Sequence, residues 1–506
     1  MSSPALEALA DAQRQLLARR WRGLVWLVGE AEDCRARALS LWQALAPAAP
    51  LWVGGTGNSG AGDESVPPEV ARHTLPMSKA RQLLGAERDL IVMDAVSLGA
   101  GFDPDAFGAL SGTLRAGGLL ILMTPEDWGA APDADYARLA AHPWRPEALT
   151  SHYLARLARL LTNSPQVMVW PPASSPRFPD WPDASPPAPP PDDADCLTRD
   201  QAEVVVRLVS LRRRRPLVIT ADRGRGKSAA LGIACARRLM QGDQEILITA
   251  PRVGAVEPLF ERLAALCPDG ERRGQAFHAH GGAVRFVAPD ALSDLVERGE
   301  AGGAGQCLLV DEAAAIPAAL LGEWLDAFPR LAFATTVHGY EGAGRGFALR
   351  FRQRLDQQTP DWRAIRLSEP IRWADNDPLE ALTTQLLLLD AEPATPGGGT
   401  LRRVELPTAK LAGDEARLRA FFGLLVQAHY RTTPSDLRRL LDAPETRLVA
   451  LEDDGGPQAV MIVADEGGFS PELAERVARG ERRLRGHLLA QSLAAHAGER
   501  RALTAR

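Results

Sequence analysis

The chain has 506 residues, an apolar fraction of 45%, a charged fraction of 24% and a formal net charge of −6. This length allows roughly two to four domains, and the composition is that of an ordinary globular protein. The mild acidity excludes a globally basic nucleic-acid binder, so any RNA contact must use local patches. The cysteines, Cys34, Cys196, Cys235, Cys267 and Cys307, are scattered, odd in number and contain no C-x-x-C pair. That pattern argues for reduced thiols in a cytoplasmic protein, without a disulfide framework or a zinc site. No apolar run approaches the ~18 residues of a membrane span, and an N-terminus carrying Glu7 and Asp11 does not read as a signal peptide. No membrane partner is expected.

In chain order, Leu24 to Val28 is a continuous apolar run and reads as a buried strand. Helical spacing follows from Ala31 to Leu45, then strands at Leu51 to Val53 and Leu90 to Met93. Helices are predicted for Ser78 to Leu84 and Asp105 to Leu114, with a strand at Gly118 to Met123, and the segments Tyr153 to Leu161 and Val167 to Trp170 close the block. Such alternation predicts an α/β domain with a parallel, helix-covered sheet over residues 1–170. Asp94, at a strand end, is either a ligand residue or a cap of the next loop. The domain carries no obvious chemistry and reads as an RNA-positioning or scaffolding unit.

Residues 171–195 are dense in proline and end in Asp192, Asp193 and Asp195; this reads as a semi-rigid, solvated linker. A helix is predicted from Ala202 to Leu211. Thr198 and Gln201 ahead of it form a capping-box pattern, but a glutamine amide at this place can also read an adenine edge; both readings stand. The basic run Arg212 to Arg215 suits a solvated helix end, with RNA contact as the alternative.

A β-rich run, Leu217 to Thr220, then meets Ala221-Asp222-Arg223-Gly224-Arg225-Gly226-Lys227-Ser228-Ala229-Ala230-Leu231. Strand, glycine turn, Lys-Ser and helix are the layout of a P-loop. Gly224 and Gly226 let backbone N–H groups close around phosphate. Lys227 would reach the β/γ-phosphates, and the Ser228 hydroxyl would sit on Mg²⁺. Arg223 and Arg225 flank the glycines, and Ala229, Ala230 and Leu231 open the helix whose N-terminus favours anions. The pattern departs from G-x-x-x-x-G-K-[ST] at Ala221. Strands at Glu245 to Thr249, Val284 to Val287 and Cys307 to Val310 follow, the last running into Asp311-Glu312. Asp311 would hold Mg²⁺ and Glu312 would orient or deprotonate the attacking water. Leu331 to Val337 is one more strand. The stretch from His338 to Phe347 reads as a glycine-rich turn in which Arg345 would neutralise a γ-phosphate. Arg372, in Glu369-Pro370-Ile371-Arg372-Trp373, is either an arginine finger in cis or a plain salt bridge.

Taken together, Ala-Asp-Arg-Gly-Arg-Gly-Lys-Ser, Asp-Glu-Ala-Ala-Ala-Ile-Pro, Thr-Thr-Val-His-Gly-Tyr-Glu-Gly-Ala-Gly-Arg-Gly-Phe and Pro-Ile-Arg-Trp resemble the bacterial tRNA(Met) cytidine acetyltransferases. The resemblance is strongest from about residue 197 to 380. It implies an N-terminal α/β domain, a helicase-like P-loop ATPase over 196–390, a GNAT acetyltransferase domain and a tRNA-binding tail. It further implies N4-acetylation of the wobble cytidine of elongator tRNA(Met), with acetyl-CoA and with ATP or GTP hydrolysis. It favours the nucleotide reading of Gln201, and it tolerates the alanine at 221.

From 391 on, helical periodicity covers Asp414 to Tyr430 and Pro434 to Leu441. A hairpin is predicted from Arg447 to Leu451 and Ala459 to Ala464 around Asp453-Asp454-Gly455-Gly456. Two helices and a hairpin resemble the opening half of a GNAT α+β fold, and Arg482 to Ser492 resembles the family segment just before the cofactor strand. The turn of type Q/R-x-x-G-x-G/A that grips the acetyl-CoA pyrophosphate does not follow. The expectation is therefore a family member cut short at its C-terminus. The alternative is an RNA-dependent P-loop ATPase without acetyl transfer.

Overall fold

The computed structural model describes residues 3–54, 67–83, 86–182, 190–336, 344–428 and 432–505. They form two compact units. One comprises residues 1–182, 378–425 and 433–506, and the other residues 183–377 with 426–432.

The first unit contains a six-stranded parallel sheet: β1 (Gly23–Val28), β2 (Pro50–Val53), β3 (Thr74–Leu75), β4 (Arg88–Asp94), β5 (Leu114–Thr124) and β6 (Met168–Trp170), in the order β3-β2-β4-β5-β1-β6. Leu24, Val25, Leu27, Ile91, Val92 and Leu119 to Met123 are buried. Strands covered on both faces need such unbroken apolar runs. The alternation read from the sequence is thus a parallel sheet. Asp94 closes the loop after β4, accepting from Val96 N, Ser97 N and the Ser97 hydroxyl at 3.1, 2.9 and 2.6 Å.

Distant sequence completes this unit. The helix Pro434–Asp442 lies against the N-terminal block. Arg438 donates to Phe102 O at 3.0 Å and pairs with Asp135 at 2.6 Å, and the Ser435 hydroxyl donates to Asp105 at 2.6 Å. Arg156, buried, pairs with Glu415 and donates to Leu386 O. A separate antiparallel sheet has the order β15-β16-β17, where β15 is Arg402–Glu405, β16 Thr446–Asp453 and β17 Gly456–Ala464. The helices Pro471–Ala478, Leu488–His496 and Arg501–Thr504 gather around Phe469, Leu484 and Leu503.

The second unit is built on an eight-stranded sheet of order β14-β7-β13-β12-β8-β11-β10-β9. Its strands are β7 (Leu217–Ala221), β8 (Glu245–Thr249), β9 (Glu271–Arg273), β10 (Ala276–Ala279), β11 (Gly282–Phe286), β12 (Cys307–Val310), β13 (Arg330–Thr336) and β14 (Arg363–Leu367). The six from β14 to β11 are parallel, and β10 and β9 add an antiparallel hairpin at one edge. Helices Arg199–Val209 and Lys227–Met240 pack on one another beside an apolar layer that includes Val204, Ile219, Leu231 and Ile248. The acidic end of the proline-rich stretch is docked: Arg237 holds Asp193 through two bonds, at 2.6 and 2.7 Å, and Asp195 at 2.8 Å. Among the described residues, no helix is long and apolar enough to cross a membrane, and all five cysteines are buried free thiols.

Candidate functional site

The carboxyl ends of parallel strands are where ligands bind in open α/β sheets. In the second unit β7, β12 and β13 all deliver functional groups there. β7 ends at Ala221, fully buried and paired with Thr336 and Leu367 on its two sides. This first P-loop position is ordinary extended strand, so an alanine serves where the motif carries glycine. The left-handed backbone falls at Gly224 and Gly226, with φ of +77° and +75°. Both are also sterically closed. A Cβ on Gly224 would stand 2.5 Å from the Trp373 ring, and one on Gly226 2.6 Å from Gln201 Nε2. A Gly224→Ala chain is therefore less stable by about 1–2 kcal/mol, the cost of the left-handed turn to an L-residue. Urea denaturation of wild type and variant checks this.

The helix Lys227–Met240 opens straight from Gly226, and Ala230 N donates to Gly226 O at 2.9 Å. Ala229, Ala230 and Leu231 form its first turn, with Ala230 and Leu231 buried. Lys227, 8% exposed, directs its ammonium to Asp311 Oδ1 at 2.7 Å and Glu312 Oε1 at 2.6 Å. The Ser228 hydroxyl donates to Asp311 Oδ2 at 2.8 Å, and the Thr336 hydroxyl donates to Glu312 Oε1 at 3.2 Å. The P-loop and the Asp-Glu pair, 84 residues apart, are thus one cluster. Burial alone would lower the Lys227 pKa, but the charges of Asp311 and Glu312 outweigh it and raise it well above the usual lysine range. Burial likewise pushes Glu312 up, yet Lys227, the Thr336 bond and the charge of Arg223 bring it below its ordinary value. The site is a compensated set of charges. Glu312 has φ of +48°, a strained conformation of the kind found at functional centres.

A strap, residues 368–373, holds the loop from the other side. Ile371 N donates to Gly224 O at 2.9 Å, and Arg225 turns to the strap, donating to Ser368 O at 2.9 Å and to Arg223 O at 2.8 Å. Asp200 secures the strap by accepting from Ser368 N at 2.5 Å and Glu369 N at 2.9 Å. Arg372 sits half-buried between Ile371 and Trp373, which brings its backbone beside the P-loop. Gln201 is buried, and its amide spans two backbone groups: it accepts from Leu197 N at 2.8 Å and donates to Gly226 O at 3.1 Å. Thr198 accepts from Gln201 N at 3.3 Å, so half of the capping box is present and the other half closes one residue early. The stretch read as a glycine turn around Arg345 is helical from Gly344 onward (Gly344–Gln358). Residues 337–343 and the Arg345 side chain lie outside the described residues. Sequence reasoning did not single out Asp200, Thr336, Ile371 or Trp373 as site residues; of these only Thr336, at a strand end level with the P-loop, carried a local signal.

The N-terminal domain of tRNA(Met) cytidine acetyltransferase TmcA matches residues 1–172, and the helicase domain of RNA cytidine acetyltransferase NAT10/TcmA matches residues 218–390. The tRNA(Met) cytidine acetyltransferase TmcA of Nitrosococcus halophilus is 43% identical over 437 residues, covering 83% of this chain and 57% of that protein. For the same enzyme of Haloferax volcanii the figures are 37% over 528 residues, 96% and 66%. For that of Citrobacter koseri they are 38% over 506 residues, 98% and 67%. The chain thus spans 57–67% of the length of these relatives. With both its N-terminal block and its nucleotide-binding P-loop unit matched, the chain belongs to the tRNA(Met) cytidine acetyltransferase family.

Proposed function

We propose that this chain is the nucleotide-driven part of an enzyme that acetylates the wobble cytidine of elongator tRNA(Met) at N4, using acetyl-CoA and hydrolysing ATP or GTP. The observation that carries the reading is the cluster of Lys227, Ser228, Asp311 and Glu312 at the carboxyl edge of a parallel sheet, in a member of this family.

A carboxylate and a hydroxyl bonded to one another, with a nearby ammonium balancing their charge, are the hard oxygen donors that Mg²⁺ prefers. Ser228 and Asp311 would hold it, and when bound it neutralises charge on the phosphates. Lys227 leaves Asp311 for the β/γ-phosphates. The N–H groups of residues 224–228 cradle them, Glu312 orients the attacking water, and Arg372 and Arg345 stabilise charge on the transferring group. Gln201 fixes the end of the P-loop and adjoins the nucleotide. In acetyl transfer the cytosine exocyclic amine attacks the thioester carbonyl, the C–S bond breaks, and the amine proton passes to the departing thiolate. Hydrolysis would serve to expose the base, which must leave its stack to react. Residues 391–506, in which the helices Thr408–Gly413, Glu415–Ala428 and Pro434–Asp442 precede the β16–β17 hairpin, would form the opening of the GNAT domain.

Calorimetric titration with ATP and GTP, with and without Mg²⁺, tests the first half; labelled acetyl-CoA with tRNA(Met) tests the second. Magnesium-dependent nucleotide affinity is expected, and its absence would sink the mechanism.

A further inference from the structure

Far from the P-loop, the second unit has a groove of ≈ 480 Å³ between the β9–β10–β11 hairpin and the helix Pro289–Glu297. Arg273 and Gln275 come from the hairpin and Arg285 from β11, while Arg298 stands at the end of the helix. Three guanidinium groups thus line it against a single carboxylate, Asp294. Each arginine has an acidic neighbour: Arg273 pairs with Glu271, Arg285 with Glu245 and Arg298 with Glu300. None of these three glutamates lines the groove. The outer two pairs are more than half exposed on both sides, and such pairs contribute only ~0–1 kcal/mol. They yield readily to a phosphate, which arginine takes in a bidentate, charge-assisted fork.

The wall opposite the hairpin adds a second attraction. Ala288 and Ala291 line the groove at the start of the helix, where the N-cap residue Ala288 offers no side-chain cap. Pro289, the first helical residue, has no N–H, and Asp290 places a carboxylate in the same turn, so what the helix start offers an anion is the amides of Asp290 and Ala291 with the positive end of the dipole, partly offset by that carboxylate. From Ala288 to Arg298 the helix face runs about 15 Å, long enough for several consecutive phosphates but far longer than one.

We infer that this groove binds the phosphodiester backbone of a single RNA strand, as a sequence-independent hold separate from the nucleotide site. The inference rests on the reading that the chain acts on RNA. It also answers how a chain of net charge −6 grips a polyanion: by a local cationic track.

The test uses the full chain and a fluorescently labelled single-stranded RNA, with affinity measured across a series of salt concentrations. In the Arg273→Ala/Arg298→Ala double variant the RNA Kd rises roughly tenfold or more, and the slope of log K against log salt falls by about 1.4, the value for two lost single-strand phosphate contacts. The Arg273→Lys/Arg298→Lys variant retains most of the slope, which distinguishes lost charge from lost fold. ATP affinity is the same in all three chains. An alanine variant with wild-type affinity and slope overturns the groove while leaving the acetyltransferase reading intact. A wild-type chain that binds no RNA overturns both.

Discussion

A Lys227→Ala chain hydrolyses nucleoside triphosphate on the order of 100–1,000-fold more slowly than wild type, the usual loss when a preorganised charge donor is removed from a phosphoryl-transfer site. It also unfolds more readily, and the two effects have separate causes. The ammonium is the counter-charge to Asp311, which is fully buried, and to Glu312, which lies beside it. Without it two carboxylates share a buried site uncompensated. Breaking a buried pair by removing one partner costs about 3–5 kcal/mol. Adding Asp311→Asn to Lys227→Ala removes one of the stranded charges, so the double variant recovers melting temperature while its turnover stays low. Phosphate release and thermal melts on the three chains decide the matter. Wild-type turnover in the single variant would show that Lys227 handles no phosphate.

What could be read from the sequence at this site is what is contiguous. The β7 strand, the glycine turn and the Lys-Ser pair lie within a dozen residues, and Asp311-Glu312 follows its own apolar strand, so each half declares itself locally. The strap does not. Its bonds to Asp200 and Gly224 join segments more than 140 residues apart, and nothing in Ser368 or Trp373 alone announces a partner. β14 escaped for a different reason. As an edge strand, Arg363–Leu367 is interrupted by arginine at 363 and 366 and leaves most of itself exposed, so it lacks the continuous apolar run that marks β7 or β12. The helix Pro4–Ala18 also went unread, although Ser3 caps it and Leu9, Ala12 and Leu16 bury one face. The proline-rich stretch and the junction near 390 suggest a linear series of domains. The compact units are instead discontinuous, because the helix Pro434–Asp442 spends its polar groups on residues 102–153. A contact map of that kind leaves no periodicity to read.

That long-range attachment gives Asp442→Ala a large effect on stability. Asp442 is 1% exposed and accepts four hydrogen bonds: Tyr136 Oη at 2.7 Å, Thr150 Oγ1 at 3.0 Å, His152 N at 2.7 Å and Tyr153 N at 3.1 Å. The last two are the first amides of the helix His152–Asn163, whose own N-cap residue Ser151 makes no side-chain cap bond. Asp442 is therefore that helix's cap, supplied from about 290 residues away. Alanine strands the Tyr136 hydroxyl and two amide donors, and at ~1–3 kcal/mol for each buried unsatisfied group the loss is on the order of 3–5 kcal/mol. Urea denaturation of the variant checks it; a midpoint equal to wild type would show that the cap carries no weight. The pH dependence has a definite sign. Burial raises the pKa of Asp442 and raises that of Asp133, in the same cluster, from 3.8 to about 6, despite its bonds from Phe102 N and Asp135 N. Between those values the folded chain holds more protons than the unfolded one, so the contribution of Asp133 to stability declines as pH rises from about 4 to 6. Asp442 acts in the same direction. Carboxylates held low by arginine, such as Asp193 and Glu257, act in the opposite sense, their contribution falling away at more acid pH. The urea midpoint of Asp133→Asn across pH 4–6.5 should accordingly be flatter than that of wild type, and identical curves would place the proton elsewhere.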